Sequence, residues 1–135
     1  MEFETFTEES VDPKQLDLET TNLATKILNH KTSSSIVKRK RTFNEIKEDT
    51  KMGLIAERHL IENCGFTRSR NKYGDVVKDG TEYEIKAWRR ITDYITNTQL
   101  DRLRKGRSQG WYPCEKMIIF EVRDGTYYFN SIYSI

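Results

Sequence analysis

The sequence predicts an α/β (α+β) domain, a small mixed β-sheet flanked by helices, with a helical extension at its N-terminus. Three observations predict it. Asp79-Gly80 and Asp124-Gly125 each stand between runs of β-branched and aromatic residues, the strongest short signal of a two-residue hairpin turn. Apolar residues at helical spacing precede the first hairpin and recur between the two. The order over residues 42–135 is then α-β-β-α-β-β, which packs helices on a sheet around one core.

Each element has its own signal. Residues 1–12 are polar and acidic and are expected to be disordered or loosely attached. Residues 13–30 are expected to be a helix, with Pro13 in its first turn and Leu16, Leu23, Ile27 and Leu28 on one side. Thr32 to Ser35 reads as a polar linker, so residues 1–41 form an acidic and then basic extension and residues 42–135 the main domain. Residues 42–64 read as helix, with a break expected near Asp49 to Gly53 and an end at Gly65. Thr67 to Lys72 reads as loop, 74–78 and 81–88 as strands, Asn97 to Arg104 as helix. Lys105 to Pro113 reads as a loop containing Gly106, Gly110 and Trp111, and Met117 to Arg123 and Thr126 to Tyr133 as a closing hairpin.

The helix before Gly65 carries an anomaly. At ~100° per residue, Leu54, Ala56, Leu60, Ile61 and Cys64 share an apolar arc. Arg58, His59, Glu62 and Asn63 fall opposite, and Ile55 is an outlier. Glu57 projects into the apolar arc, where a carboxylate is costly unless it is paired or binds a metal. Its alternative is to reach out at the rim of a surface helix.

The first hairpin carries a second one. Counting outward from Asp79-Gly80, Lys78 faces Thr81, Val77 faces Glu82, Val76 faces Tyr83 and Asp75 faces Glu84. Directly opposed residues have Cβ atoms about 4.5–5.5 Å apart, so Asp75 and Glu84 repel unless a cation lies between them. A divalent metal with oxygen ligands meets that need. Alternation puts Lys86 on the face of Glu84, with Tyr83, Ile85 and Ala87 on the other. Paired carboxylates beside an ammonium are the equipment of a metal-dependent phosphodiesterase.

Charge is placed to match. Net charge is only +2, but residues 1–20 hold Glu2, Glu4, Glu8, Glu9, Asp12, Asp17 and Glu19 against Lys14 alone. Basic clusters follow: Lys38, Arg39, Lys40 and Arg41; Arg68, Arg70 and Lys72; Arg89 and Arg90; Arg102, Arg104, Lys105 and Arg107. Any one of them is expected of a solvated face. Several flanking one carboxylate hairpin are the footprint of phosphate-backbone binding. A mean hydropathy of −0.79 and the lack of a long apolar run argue against a membrane span, and no charged-then-apolar leader suggests secretion. The two cysteines, Cys64 and Cys114, lack zinc-finger spacing, and Cys64 is expected in the core. An intracellular protein is expected, cytoplasmic, or nuclear if the Lys38–Arg41 run is an import address.

Glu57 on a helix, then Asp75, then Glu84-Ile85-Lys86 resembles the PD-(D/E)XK nuclease superfamily. The layout over about residues 50–135 is similar to the small Holliday-junction resolvases, with Gly53 to Arg58, Gly65-Phe66, Asp75, Glu84 to Lys86, Gln99 to Arg104 and the strands after Met117 as the matching pieces. Gly74 stands where the motif usually has Pro. The resemblance implies a restriction-endonuclease-like fold and Mg²⁺- or Mn²⁺-dependent endonuclease activity on duplex or branched DNA. It implies Asp75, Glu84, the Ile85 carbonyl and Glu57 as metal ligands, Lys86 as the group that orients or deprotonates water, and Gln99 as a further catalytic candidate. Gln99 reads equally well as a solvent-facing helix residue, and Lys86 also as a salt-bridge partner of Glu84. Tyr73 and Trp88 are candidates for stacking on bases, with core packing open to Trp88. A homodimer is expected, with the apolar side of 13–30 or Tyr127, Tyr128, Phe129 and Tyr133 as contact surface, and no small-molecule cofactor. A ribonuclease or nuclease toxin on the same fold, and a non-catalytic nucleic-acid-binding protein, are the alternative functions.

Overall fold

Both Asp-Gly steps make the turns expected of them. Asp79 and Gly80 have φ of 51° and 79°, and Asp124 and Gly125 have 50° and 77°, the paired positive values of a turn whose twist matches its strands. In the computed structural model, which describes residues 3–31 and 42–135, the chain runs β1 (Phe6–Thr7), a 3₁₀ turn (Glu8–Ser10), α1 (Pro13–Lys31), α2 (Phe43–Asn63), β2 (Thr67–Arg68), β3 (Val76–Lys78), β4 (Thr81–Trp88), α3 (Asp93–Ser108), β5 (Lys116–Arg123) and β6 (Thr126–Ser134). The result is a mixed α/β fold in which a six-stranded sheet of order β1-β6-β5-β4-β3-β2 carries the helices. β4 and β5 are parallel, and every other neighbouring pair is antiparallel.

The sheet has two covered faces. Tyr83, Ile85 and Ala87 of β4 join Ile118, Phe120 and Val122 of β5 against Leu54, Ile55 and Leu60 of α2. Met117 and Ile119 turn the other way and pack with Leu100 and Leu103 of α3, Tyr112 and Cys114. β5 is buried on both faces because helices lie on each, so Met117 to Phe120 reads as an unbroken apolar run.

Several expectations need correction. Residues 3–12 are not loosely attached: Phe6 and Val11 are buried in the larger core, and β1 pairs with Thr126 and Tyr127. That segment also overturns the polar reading of His59. The imidazole is stacked on Phe6 at 3.7 Å between centroids, its Nδ1 lies 3.0 Å from Ser10 Oγ, and burial lowers its pKa. Ile55, the apparent outlier, is buried as well. α2 runs unbroken through Asp49 to Gly53 from a capping box in which Thr42 and Glu45 satisfy each other's backbone N–H groups. It ends, as expected, at Gly65 (φ 77°), where Phe66 N–H donates to the Leu60 carbonyl.

α1 buries Leu16, Thr20 and Ala24, a seam at i, i+4, i+8, while Leu23 is left off it and exposed. Thr67–Arg68 is a short strand rather than loop, pairing with Val76 and Val77. α3 begins four residues earlier than expected, capped by Thr92, whose hydroxyl accepts from Ile95 N–H. It continues through Gly106, which does not stop the helix. A Cβ there would sit 2.6 Å from Trp111 Cζ2, so this glycine is required by the ring packed on it. Cys64 is half-buried at the edge of the core and Cys114 fully buried. Of the closing hairpin, Tyr127 is buried and Phe129 packs against the core, while Tyr133 is exposed.

Candidate functional site

The hairpin places the site where its two strands part. The register is the expected one from Lys78–Thr81 to Val76–Tyr83, but the ladder stops there, and Asp75 is not the ladder partner of Glu84. Asp75 N–H donates to the Tyr83 carbonyl at 3.2 Å, and its Oδ2 accepts from Ile85 N–H at 2.8 Å. Residues that exchange ladder bonds point their N–H and C=O to the same side. Ile85 therefore turns both groups to the edge that β3 has left, where Asp75 caps the N–H and the carbonyl faces the open fork. Glu84 and Lys86 lie on the opposite face of β4 from Tyr83 and Ile85, and Lys86 Nζ stands 3.2 Å from Glu84 Oε1.

Glu57 comes to the fork from α2. Its side chain is 14% exposed, so it does not escape at a rim. Burial raises its pKa from 4.5 to about 7; Arg68 opposes the rise, Glu84 and Glu19 add to it, and Lys86 opposes. Asp75 is likewise pushed well up, first by burial, then by Glu57 and Glu84, against the Ile85 N–H. The structure therefore brings Glu57, Asp75, Glu84 and Lys86 into one electrostatic unit with more buried negative charge than Lys86 and Arg68 balance.

That excess has a measurable consequence. A carboxyl with a raised folded-state pKa holds a proton that the unfolded chain releases. The stabilisation is fully present below about 4.5 and is lost as pH rises toward about 7 for Glu57, with Asp75 acting in the same sense. Each unit of displacement represents about 1.4 kcal/mol. In metal-free buffer, stability against urea is expected to fall across this window, and to fall less in Glu57→Gln. A flat profile from pH 4.5 to 7 would contradict the assignment.

Among the described residues no three His, Cys, Asp or Glu side chains are already gathered to hold a metal ion. The residues nonetheless fit a hard divalent cation by three observations. The donors are all oxygen, the local charge is negative, and Tyr112 places a buried phenol beside Glu84. Burial, the Glu84 charge and Cys114 push the Tyr112 phenol well up, so it remains a neutral donor. Tyr112 was not expected at the site; it lies far from the E-x-K segment in sequence, and no local pattern marks it.

The remaining predicted residues divide. Arg89 and Arg90 are exposed and, with Lys86, Trp88, Gly53 and Asp49, line a groove of about 470 Å³ between α2 and the end of β4. Arg70 and Lys72 are exposed in the loop that leads to Asp75. Arg68, half exposed, bridges two carboxylates, 3.8 Å from Glu57 and 3.5 Å from Glu19, and Glu19 also pairs with Arg58. The acidic N-terminal segment thus folds back on the bases of α2 rather than standing apart from them. Gln99 accepts from Arg102 at 2.9 Å, a local helix contact. Arg104 donates to the Ser134 carbonyl and Arg107 to those of Pro113 and Cys114; these two, Arg102 and Lys105 are exposed. Trp88 packs against the smaller core, while Tyr73 is exposed. Lys38, Arg39, Lys40 and Arg41 lie outside the described residues. No helix among the described residues is long and apolar enough to cross a membrane. No family model, curated protein or solved structure matches this chain.

Proposed function

We propose that this protein is a metal-dependent endonuclease that hydrolyses phosphodiester bonds in DNA, duplex or branched, as the resemblance to the PD-(D/E)XK superfamily implies. One observation carries the reading. At the fork of a single hairpin, Asp75 is held by the Ile85 N–H beside Glu84, Glu84 is paired with Lys86, and Glu57 arrives from the helix before. The layout around it supports a restriction-endonuclease-like fold. α2 ends at Gly65-Phe66, Asp75 and the E-x-K strand follow, then α3 bearing Gln99, then the closing pair β5–β6.

Asp75, Glu84, the Ile85 carbonyl and Glu57 would hold Mg²⁺ or Mn²⁺. Such an ion supplies activation of water and charge stabilisation on the phosphate. The chain's own residues do the rest. Lys86 Nζ, held at Glu84, orients the attacking water and donates to phosphate oxygens as charge builds on them. Arg89 and Arg90 take the neighbouring phosphates at the groove. Tyr112 keeps a neutral phenol beside Glu84. A paired cut on two strands needs two copies of the site, so a homodimer belongs to the proposal, and light scattering showing a monomer during cleavage would remove it.

The test is incubation of plasmid, four-way junction and structured RNA with Mg²⁺, Mn²⁺ or EDTA, together with thermal unfolding in the same buffers. Cleavage of DNA with the metals and none in EDTA is expected, and the metals should raise the unfolding temperature. Undiminished cleavage in EDTA would refute metal dependence, and preferential loss of RNA would transfer the site to a ribonuclease. Tight binding without any cleavage would leave a binding protein.

A further inference from the structure

Two aromatic rings stand exposed beside the carboxylate fork. Tyr73 and Trp111 are about half exposed and contact each other, 5.3 Å between centroids at 71°. They come from different loops, yet both are held firmly. Trp111 N–H donates to the Gly106 carbonyl at 3.3 Å, and its indole Nε1 donates to Gln109 Oε1 at 3.0 Å. The ring lies over Gly106, where no side chain would fit. The Tyr73 loop is built around Glu82, which accepts from Ser69 Oγ at 2.6 Å and from Asn71 Nδ2 at 2.7 Å. Cys114 Sγ reaches the Tyr73 carbonyl at 3.9 Å and ties the two loops together.

The Trp111 indole is seated by a glycine and a hydrogen bond and still presents half its surface to solvent. Cations lie on the Tyr73 loop and on the helix turn beneath Trp111. Lys72 Nζ lies 5.5 Å from the Tyr73 ring centroid. Exposed Arg107 is anchored on the Pro113 and Cys114 carbonyls, and Arg70 is exposed in the same loop as Lys72. A rigid π-surface among cations suits a flat ring on a phosphate backbone. Tyr73 is two residues from Asp75, so whatever stacks there lies close to the bond that the fork would act on.

We propose that Tyr73 and Trp111 form a stacking platform for an unpaired nucleobase, with Lys72 and Arg107 on its flanking phosphates, so that the substrate is nucleic acid carrying an unstacked nucleotide next to the scissile bond. This rests on the nucleic-acid reading of the fork for its position, but not on cleavage for its test. A base lying on an indole quenches its fluorescence. In EDTA, a short oligothymidylate is expected to quench the wild-type protein more than a blunt duplex of similar length does. Trp111→Ala should lose that quenching and weaken single-strand binding by roughly tenfold or more, the scale of stacking one base. Tyr73→Ala, at an exposed loop position, should weaken it in the same direction, with duplex affinity changed less than about twofold in both. Equal single-strand affinity in wild type and both variants would overturn the platform, whatever the cleavage assay shows. Quenching that depends on Trp111 in a protein that cuts nothing would uphold the platform and refute the hydrolase.

Discussion

Asp75→Asn is expected to abolish cleavage while making the protein more resistant to urea. The carboxylate is the one group of the site fixed by a backbone donor, Ile85 N–H at 2.8 Å, and an asparagine oxygen accepts that bond equally well. The strand fork should therefore survive the substitution. What disappears is a buried negative charge pushed toward its protonated form by burial and by Glu57 and Glu84. Its removal relieves like-charge repulsion at neutral pH, so the midpoint of urea unfolding should rise. The rise should be larger at pH 7 than at pH 4, because acid protonates these carboxyls in the wild type too. The same change takes away a ligand and a share of the site's negative charge, so stabilisation by Mg²⁺ should disappear with the activity. Retained cleavage would refute the assignment of Asp75. Lower stability at neutral pH would show that Asp75 is balanced by a cation other than Lys86 and Arg68.

Lys86→Ala should lower cleavage by roughly 10²-fold or more, the scale for a positioned charge-stabilising or proton-transferring group, with nucleic-acid affinity within a few fold. Lys86 is 3.2 Å from Glu84 and 22% exposed at its side chain, and it lines the groove that Arg89 and Arg90 border. It can therefore reach a bound phosphate without leaving its partner. A purely structural ion pair predicts something different: a modest loss of stability and an unchanged rate. Measuring rate and unfolding together separates the two roles. A Lys86→Ala protein that cuts at the wild-type rate would remove this lysine from the chemistry. Affinity should remain because Arg89, Arg90, Arg70 and Lys72 are exposed to carry phosphate contacts.

The sequence by itself determined the features set by local chemistry. Asp-Gly steps favour paired positive φ, so both hairpins were legible, and with the first came the register from Lys78–Thr81 to Val76–Tyr83. Glu57 was legible as a carboxylate on an apolar helical arc, since helical spacing alone places it there. That Glu57 joins Asp75, Glu84 and Lys86 was implied only by the resemblance to the PD-(D/E)XK layout, since neither the helical arc nor the hairpin register places one element against the other.

Tertiary structure decided what depends on surfaces distant in sequence. The ladder's end at Val76–Tyr83, which exchanges a direct Asp75–Glu84 opposition for a fork, depends on where the β2–β3 loop is anchored by Glu82. His59 is buried because residues 3–12 return to cover a second side of α2, where Phe6 stacks on it, a side that helical periodicity alone marks as solvent. Arg68 serves Glu57 and Glu19 because α1 brings Glu19 to it. Gly106 was read as part of a loop, and is instead a helical seat for an indole because Trp111 folds back over the last turn of α3. In each case a local propensity was outweighed by the burial or charge pairing available in the folded chain, and such partners, off the helical and strand repeats, leave no periodic trace in sequence.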